Sequence, residues 1–295
     1  MKLYSIGELE VLSQIKAHTI RIWEQRYNLL EPTRSEGNTR YYSEDQLMKL
    51  LNVALLNKSG VKISTIAKYS SSELTEKAAQ VALQDKSLEH AVEQLMVASL
   101  NFDQKTIADL FDSYNQLYGV EDTFEKIVFP YLRVVGNLWV TGKITPGHEH
   151  FFSNLCKLKL FAVIDQLPLP ETGKSSILLC LPEWDYHELG ILYYHYKFRK
   201  AGYHCTYLGQ AVPAIDVKQT AKTIRANYII TTFIGPTTPE RVLKYIEDLL
   251  DGCTADLLVS GPNIDFEISN YNGRVTVYRS MDFLIDKFQL NTTTN

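Results

Sequence analysis

The sequence predicts a multidomain chain of three folds in series. These are an N-terminal winged helix-turn-helix that is all-α apart from its wing, a helix bundle, and a C-terminal Rossmann-like α/β domain with a parallel five-stranded sheet. Three observations predict this. Short helical stretches with polar turns fill residues 5–69 and end at Ser70-Ser71-Ser72, which reads as a joint. Residues 73–166 carry apolar side chains at spacings of three and four, as in Leu88, Ala91, Val92, Leu95 and Met96 and again in Ile127, Val128, Tyr131, Leu132, Val135 and Leu138. After Pro168, Pro170 and Gly173 the rhythm changes to short apolar runs at 177–181, 204–208, 228–233, 257–260 and 275–278, separated by amphipathic helices. Strands alternating with helices at that spacing build a parallel sheet covered on both faces. The expected boundaries are 1–72, 73–167 and 174–291.

Composition narrows the function classes. With 295 residues and 45% hydrophobic content the chain can bury two or three cores, so disorder is not expected. No apolar run approaches bilayer length, and Met1-Lys2-Leu3-Tyr4 lacks the charged-then-apolar plan of a secretory signal; a cytoplasmic protein with no membrane partner is expected. Cys156, Cys180, Cys205 and Cys253 are far apart and form no CxxC pair, which disfavours a disulfide framework or a zinc knuckle and suggests buried thiols. The net charge of -4 is uneven: residues 1–72 carry +3 and the rest -7, as expected of a DNA-binding head on an acidic body.

Within the head, Tyr4-Ser5-Ile6-Gly7-Glu8-Leu9 opens a short helix, and Ser13-Gln14-Ile15-Lys16 turns tightly into a second, about 17–27. Two helices joined this way let the second lie in a major groove while the first braces it. Ser13, Lys16, His18, Thr19, Arg21 and Arg26 are the candidate DNA contacts there, with Ile20 and Trp23 locking the helix to Ile6 and Leu9. The stretch Asn38-Thr39-Arg40-Tyr41-Tyr42 alternates like a two-stranded wing, which adds Arg40, placed to neutralise a phosphate, and Tyr42.

The run from Tyr4 to Tyr42, with Ile20-Arg21-Ile22-Trp23-Glu24-Gln25-Arg26-Tyr27 and the wing, resembles the N-terminal domain of MerR-family regulators, and the likeness continues to about Ile66. It implies homo-oligomers, dimers or tetramers, on pseudo-palindromic double-stranded operator DNA. Metal-sensing members continue into a long dimerisation helix with cysteines; this chain enters a bundle without clustered cysteines, which disfavours mercury or copper sensing.

The C-terminal constellation is Glu183-Trp184-Asp185-Tyr186-His187-Glu188-Leu189-Gly190, in the loop after the first expected strand. Ligands of open α/β sheets sit at the carboxyl ends of strands. An imidazole can give a neutral nitrogen to a metal while a carboxylate takes the proton on its other nitrogen, and Asp185 and His187 have the spacing for that pair. Gly190 would let a bulky planar group approach the helix start. Leu208-Gly209, Thr231 with Phe233, and Ser260-Gly261 follow at the ends of later strands. Together these resemble the DxHxxG, SxL, GG signature of cobalamin-binding domains. The resemblance implies that His187 is the lower cobalt ligand and that the other positions line the channel of the nucleotide tail.

In the bundle, Trp139 followed by Glu149-His150 resembles the W-x9-EH motif of light-responsive, adenosylcobalamin-dependent MerR-type repressors, the CarH/LitR-like group. An indole can shield a cobalt–carbon bond and a carboxylate can accept from ribose hydroxyls. The resemblance implies a photoreceptor that holds adenosylcobalamin beneath the bundle and represses transcription. Its best-known members place a cobalt-capturing histidine directly after the Trp; this chain has Val140, so a bis-histidine product needs another donor, such as His148 or His150. Two other functions stay open: a ligand-independent regulator whose degenerate cobalamin-binding fold serves dimerisation, and an accessory module of a corrinoid methyltransferase. No catalytic residue is expected.

Overall fold

The computed structural model describes residues 3–13, 15–34, 39–84, 88–140, 145–170, 174–262, 264 and 273–290. By contact the chain separates into two compact units, Met1–Leu155 and Cys156–Asn295.

The first unit opens with β1 (Leu3–Ser5), α1 (Ile6–Ser13), α2 (Ala17–Tyr27), β2 (Thr33–Arg34) and β3 (Arg40–Ser43). The wing is three-stranded where two strands were expected: β1 pairs antiparallel with β3, Tyr4 opposite Tyr42, and β2 takes the other edge. Ser5 and Glu8 form a reciprocal capping box, Ser5 N–H on Glu8 Oε2 at 2.6 Å and Glu8 N–H on Ser5 Oγ at 3.4 Å, which starts α1. Asn28 ends α2 in the left-handed region, its N–H returned to Glu24 O. Tyr4, Leu9, Ile20 and Tyr42 are wholly buried and make the head's core.

There follow α3 (Glu44–Lys58), α4 (Ile63–Ile66), α5 (Ser71–Gln84), α6 (Leu88–Leu100), α7 (Gln104–Thr123), a π-helical turn at Phe124–Val128, α8 (Phe129–Val140) and α9 (Pro146–Asp165). Helix α3 buries Leu47, Leu50, Leu51, Val53, Ala54, Leu55 and Leu56, so it is apolar around its whole circumference. A helix of that kind must be covered on every side, and α3 packs against α1 on one flank and α5 and α6 on the other. Lys58 and Glu93 add an ion pair across the α3–α6 contact. The serines at 70–72 are a helix start: Ser70 N–H donates to Glu73 Oε2 at 2.8 Å and Glu73 N–H to Ser70 Oγ at 3.3 Å.

The second unit contains the end of α9 and then β4 (Ser176–Pro182), α10 (Leu189–Lys200), β5 (His204–Val212), α11 (Ala214–Ile224), β6 (Tyr228–Thr232), α12 (Pro239–Leu250), β7 (Asp256–Ser260), β8 (Val275–Val277) and α13 (Met281–Phe288). The sheet is parallel throughout, in the order β5-β4-β6-β7-β8. One face packs Cys180, Ile229 and Phe233 under α11 and α12; the other packs Ile177, Leu179 and Ile230 under α10 and α13. Strand β4 lies between β5 and β6, so the chain reverses its direction of winding there. Its carboxyl end is the topological switch point, where open α/β sheets take their ligands. Among the described residues no helix is long and apolar enough to cross a membrane.

Candidate functional site

The head presents α2 with Ile20 and Trp23 inward and His18, Arg21, Ile22, Gln25 and Arg26 exposed. Thr19 is partly buried, its hydroxyl 3.3 Å from His18 Nε2. Lys16, at the helix start, pairs with Glu10 at 3.0 Å. Three of the expected contacts have inward duties. Ser13 is buried and its hydroxyl donates to Leu9 O at 2.7 Å, closing α1. Tyr42 is wholly buried with its hydroxyl on Glu24 Oε2, and Arg40 Nε donates to Glu24 Oε1, both at 3.0 Å. Burial first, and the Glu24 carboxylate second, push the Tyr42 phenol above its ordinary range. Ser13 and Tyr42 therefore do not offer their side chains to a groove, and Arg40 braces the wing against the recognition helix. Asn38 lies outside the described residues.

At the switch point of the second unit, Asp185 is completely buried and works as an acceptor on four sides. Oδ1 accepts from His187 N–H at 3.0 Å and His187 Nδ1 at 2.8 Å; Oδ2 accepts from Ile234 N–H at 2.7 Å and Gly235 N–H at 2.8 Å. Burial alone would raise this carboxyl, but the His187 ring and the Gly235, His187 and Ile234 amides outweigh it and bring the pKa down to about 2. Asp185 is thus an anion, which fixes the proton of a neutral His187 on Nδ1 and leaves the lone pair on Nε2. The imidazole keeps 46% of its surface exposed, so it is aimed outward and not packed away. Glu188, the N-cap of α10, pairs with Lys157 at 3.3 Å. Among the described residues, a Cβ on Gly190 would meet nothing within 4 Å beyond its chain neighbours and its own helix backbone. Gly209 adopts φ 77° beside the Tyr207 ring, and β5 curls over the loop so that Ala211 N–H reaches Asp185 O at 3.2 Å.

The structure separates the expected channel residues by face. Thr231 lies beside the Cys180 thiol, and Phe233 stacks on Trp184 with centroids 6.4 Å apart; both belong to the α11/α12 face, with Leu208 packed at its margin. Strand alternation turns the intervening Thr232 to the α10 face, with Ile230. Among the described residues the hydroxyls of Thr232 and of Tyr207, on that same face, are buried without a hydrogen-bond partner, as is that of Thr231 on the other. Phe233 therefore adds no bulk on the α10 side. Gly261 (φ 143°) serves the fold: a Cβ there would lie 2.2 Å from Phe233 O, and Ser260 O accepts Phe233 N–H at 2.8 Å. The amides of Ile234 and Gly235, and Thr232, were missed from sequence. Gly235-Pro236 at a strand end was the available signal, because a Cβ on Gly235 would press the Asp185 carboxylate at 3.3 Å.

In the bundle, Glu149 pairs with His150 Nδ1 at 2.8 Å, and the His150 ring is exposed. His148 is buried, hydrogen-bonded to Thr145 Oγ1 at 2.9 Å and stacked on Phe102. The side chains of Trp139 and Val140 lie outside the described residues.

Two segments of the chain match known families. Residues 4–73 match the model of the MerR HTH family regulatory proteins, and residues 91–164, the segment holding α6 to α9, match a B12 binding domain. The chain thus carries a MerR-type HTH segment followed by a segment that matches a B12 binding domain. The HTH-type transcriptional repressors CarH and CarA of Myxococcus xanthus are similar to this MerR-type chain along most of its length. CarH is 29% identical over 77% of this chain and 78% of its own, and CarA 28% over 85% and 83%. The HTH-type regulator MlrA of Escherichia coli is 33% identical over 25% of this chain and 30% of its own. Among solved structures, the monomethylamine corrinoid protein of Methanosarcina barkeri shares the fold at a TM-score of 0.52, with 12% identity, over 69% of this chain and 100% of that one.

Proposed function

We propose that this MerR-type chain is a transcriptional repressor, not an enzyme, whose occupancy of operator DNA is set by cobalamin, in the adenosyl form and under the control of light, through a change of homo-oligomeric state. The observation that carries the reading is the Asp185–His187 pair at the switch point: a buried anion mounted on backbone amides and an outward imidazole with a fixed tautomer. A corrinoid bound there would be held through the His187 imidazole, oriented by Asp185, and would supply light-sensitive cobalt chemistry.

The residues present fit such a group. His187 supplies the nitrogen donor and Asp185 sets its basicity. Gly190 leaves the start of α10 open to a planar macrocycle. The unpartnered hydroxyls of Thr232 and Tyr207 suit the acceptors of a nucleotide tail or amide arm. In the first unit, Glu149 and Trp139 are the residue types, a carboxylate and an indole, that suit an adenosyl group. On the head, Arg21, Arg26, His18 and Gln25 address DNA. Differential affinity of the ligand for two assemblies is what shifts DNA binding.

The test is to mix the purified chain with adenosylcobalamin in darkness and desalt it. A coloured protein fraction is expected, with an oligomer and a DNA affinity that both fall after illumination. A colourless fraction, with both properties indifferent to the corrinoid, would leave the ligand-independent regulator as the reading.

A further inference from the structure

Resting on the DNA-binding reading above, we infer that Ile22 is a base-reading residue that takes the C5-methyl group of a thymine in the major groove. It is 44% exposed on α2, whose other large apolar residues, Ile20 and Trp23, are buried in the head. Isoleucine is a poorer helix former than alanine or leucine, so this exposed position gains nothing from it in the free protein.

Its surroundings say what covers it. His18, Gln25 and Arg26 stand four before, three after and four after Ile22, and so share its face, and Arg21 adjoins it. All four are exposed. Elsewhere in the head Lys16 is committed to Glu10 and Arg40 to Glu24; Arg21 and Arg26 make no ion pair among the described residues. An apolar protein surface laid on Ile22 would have to desolvate two unpaired guanidiniums, which is costly. Duplex DNA satisfies them with phosphates and offers one apolar group in the major groove, the thymine methyl. Ile22 thus sits as an apolar island between two cations that position the helix.

The experiment selects binding sites with the full-length chain, in darkness with and without adenosylcobalamin, from two random duplex pools, one synthesised with thymidine and one with deoxyuridine, which lacks the methyl group. The wild type is expected to show a thymine preference of roughly three- to fivefold at one position of each half-site, the worth of one buried methyl, and to lose it in the deoxyuridine pool. Ile22→Ala should lose the same preference in the thymidine pool while its affinity for unselected duplex and its salt dependence stay at wild-type values. Ile22→Val, which keeps a branched methyl surface, should retain most of it. An Ile22→Ala selection identical to wild type, or a wild-type preference that survives in deoxyuridine, overturns the inference and leaves the DNA-binding reading intact. A wild type that enriches no sequence overturns that reading and the inference with it. Folding is not at stake in Ile22→Ala, since an exposed helical site tolerates alanine; a matching thermal melt checks this.

Discussion

Glu24 in the head and Asp185 in the sheet unit are both carboxylates withdrawn from water that hold a neighbouring side chain in place, yet they are anchored differently. Glu24 is held by two side chains, Arg40 and Tyr42. Asp185 is held by three backbone amides and the ring it orients. Backbone donors just past the ends of inner strands lose little freedom when they bind, whereas an arginine must give up rotamers to hold its pair. The sensor loop is therefore a rigid mount for one imidazole. The wing corner is an adjustable brace, because a guanidinium that donates through Nε has further N–H groups to give a phosphate.

The strongest way to break this comparison is to disturb the strand ends on which the rigid mount stands. Gly261→Ala places a Cβ 2.2 Å from Phe233 O, just before the Ile234 and Gly235 amides. The segment must shift, and a loss of about 3 kcal/mol or more is expected in urea unfolding, with corrinoid retention falling alongside. A urea midpoint equal to wild type would show that the mount does not depend on this approach.

Asp185→Asn comes next. An amide nitrogen would face donors that the carboxylate now accepts from, and a loss of about 2–3 kcal/mol is expected, with corrinoid affinity down by about 10- to 100-fold. The sign of the pH effect is fixed by the lowered carboxyl. The stabilisation is complete above the ordinary value of 3.8 and is lost as pH falls through about 2. The Asn variant should lack this acid limb. An acid unfolding curve that superimposes on wild type would show that the clamp contributes no pH-dependent stability.

How much of this was legible beforehand follows from the same physics. The inner strands could be placed because strands buried on both faces read as unbroken apolar runs, as in the fully enclosed residues 177–181. That pattern hides its own phase. With both faces apolar, nothing in residues 228–233 told which hydroxyl, Thr231 or Thr232, would face α10. The Asp185–His187 pair was legible because it is local; its Ile234 and Gly235 donors are backbone groups about fifty residues away, and only the Gly235-Pro236 pair hinted at them. The serines at 70–72 read as a joint because the residues that cap helices are the ones that fill linkers. The third wing strand, Leu3–Ser5, was too short to show a period, and the duties of Ser13, Arg40 and Tyr42 depended on partners up to eighteen residues away.

A smaller effect probes the adjustable brace. Glu24→Gln and Arg40→Ala, combined in a double-mutant cycle, should couple by about 1 kcal/mol in stability, as a largely enclosed pair at 3.0 Å warrants. Arg40→Ala should also weaken binding equally on all DNA sequences. If the coupling is absent, the wing and the recognition helix are independent, and Arg40 acts on phosphate alone.

The smallest change in stability should come from Gly190→Ala, and it sharpens the contrast most finely because it sits on the rigid mount itself. Among the described residues nothing outside the helix's own backbone and the chain neighbours lies within 4 Å of the new methyl, and the position is inside the first turn of α10. Removing a glycine from a helix stabilises by about 0.4–1 kcal/mol through the unfolded chain. The methyl would, however, stand where the proposed macrocycle approaches His187, so dark retention of adenosylcobalamin should fall although the protein melts no lower. Gly261 and Gly190 then differ in kind: one is small because the Phe233 backbone comes close, the other because the proposed ligand would. A Gly190→Ala protein that holds the corrinoid as tightly as wild type would assign both glycines to the fold, and would move the binding face away from the start of α10.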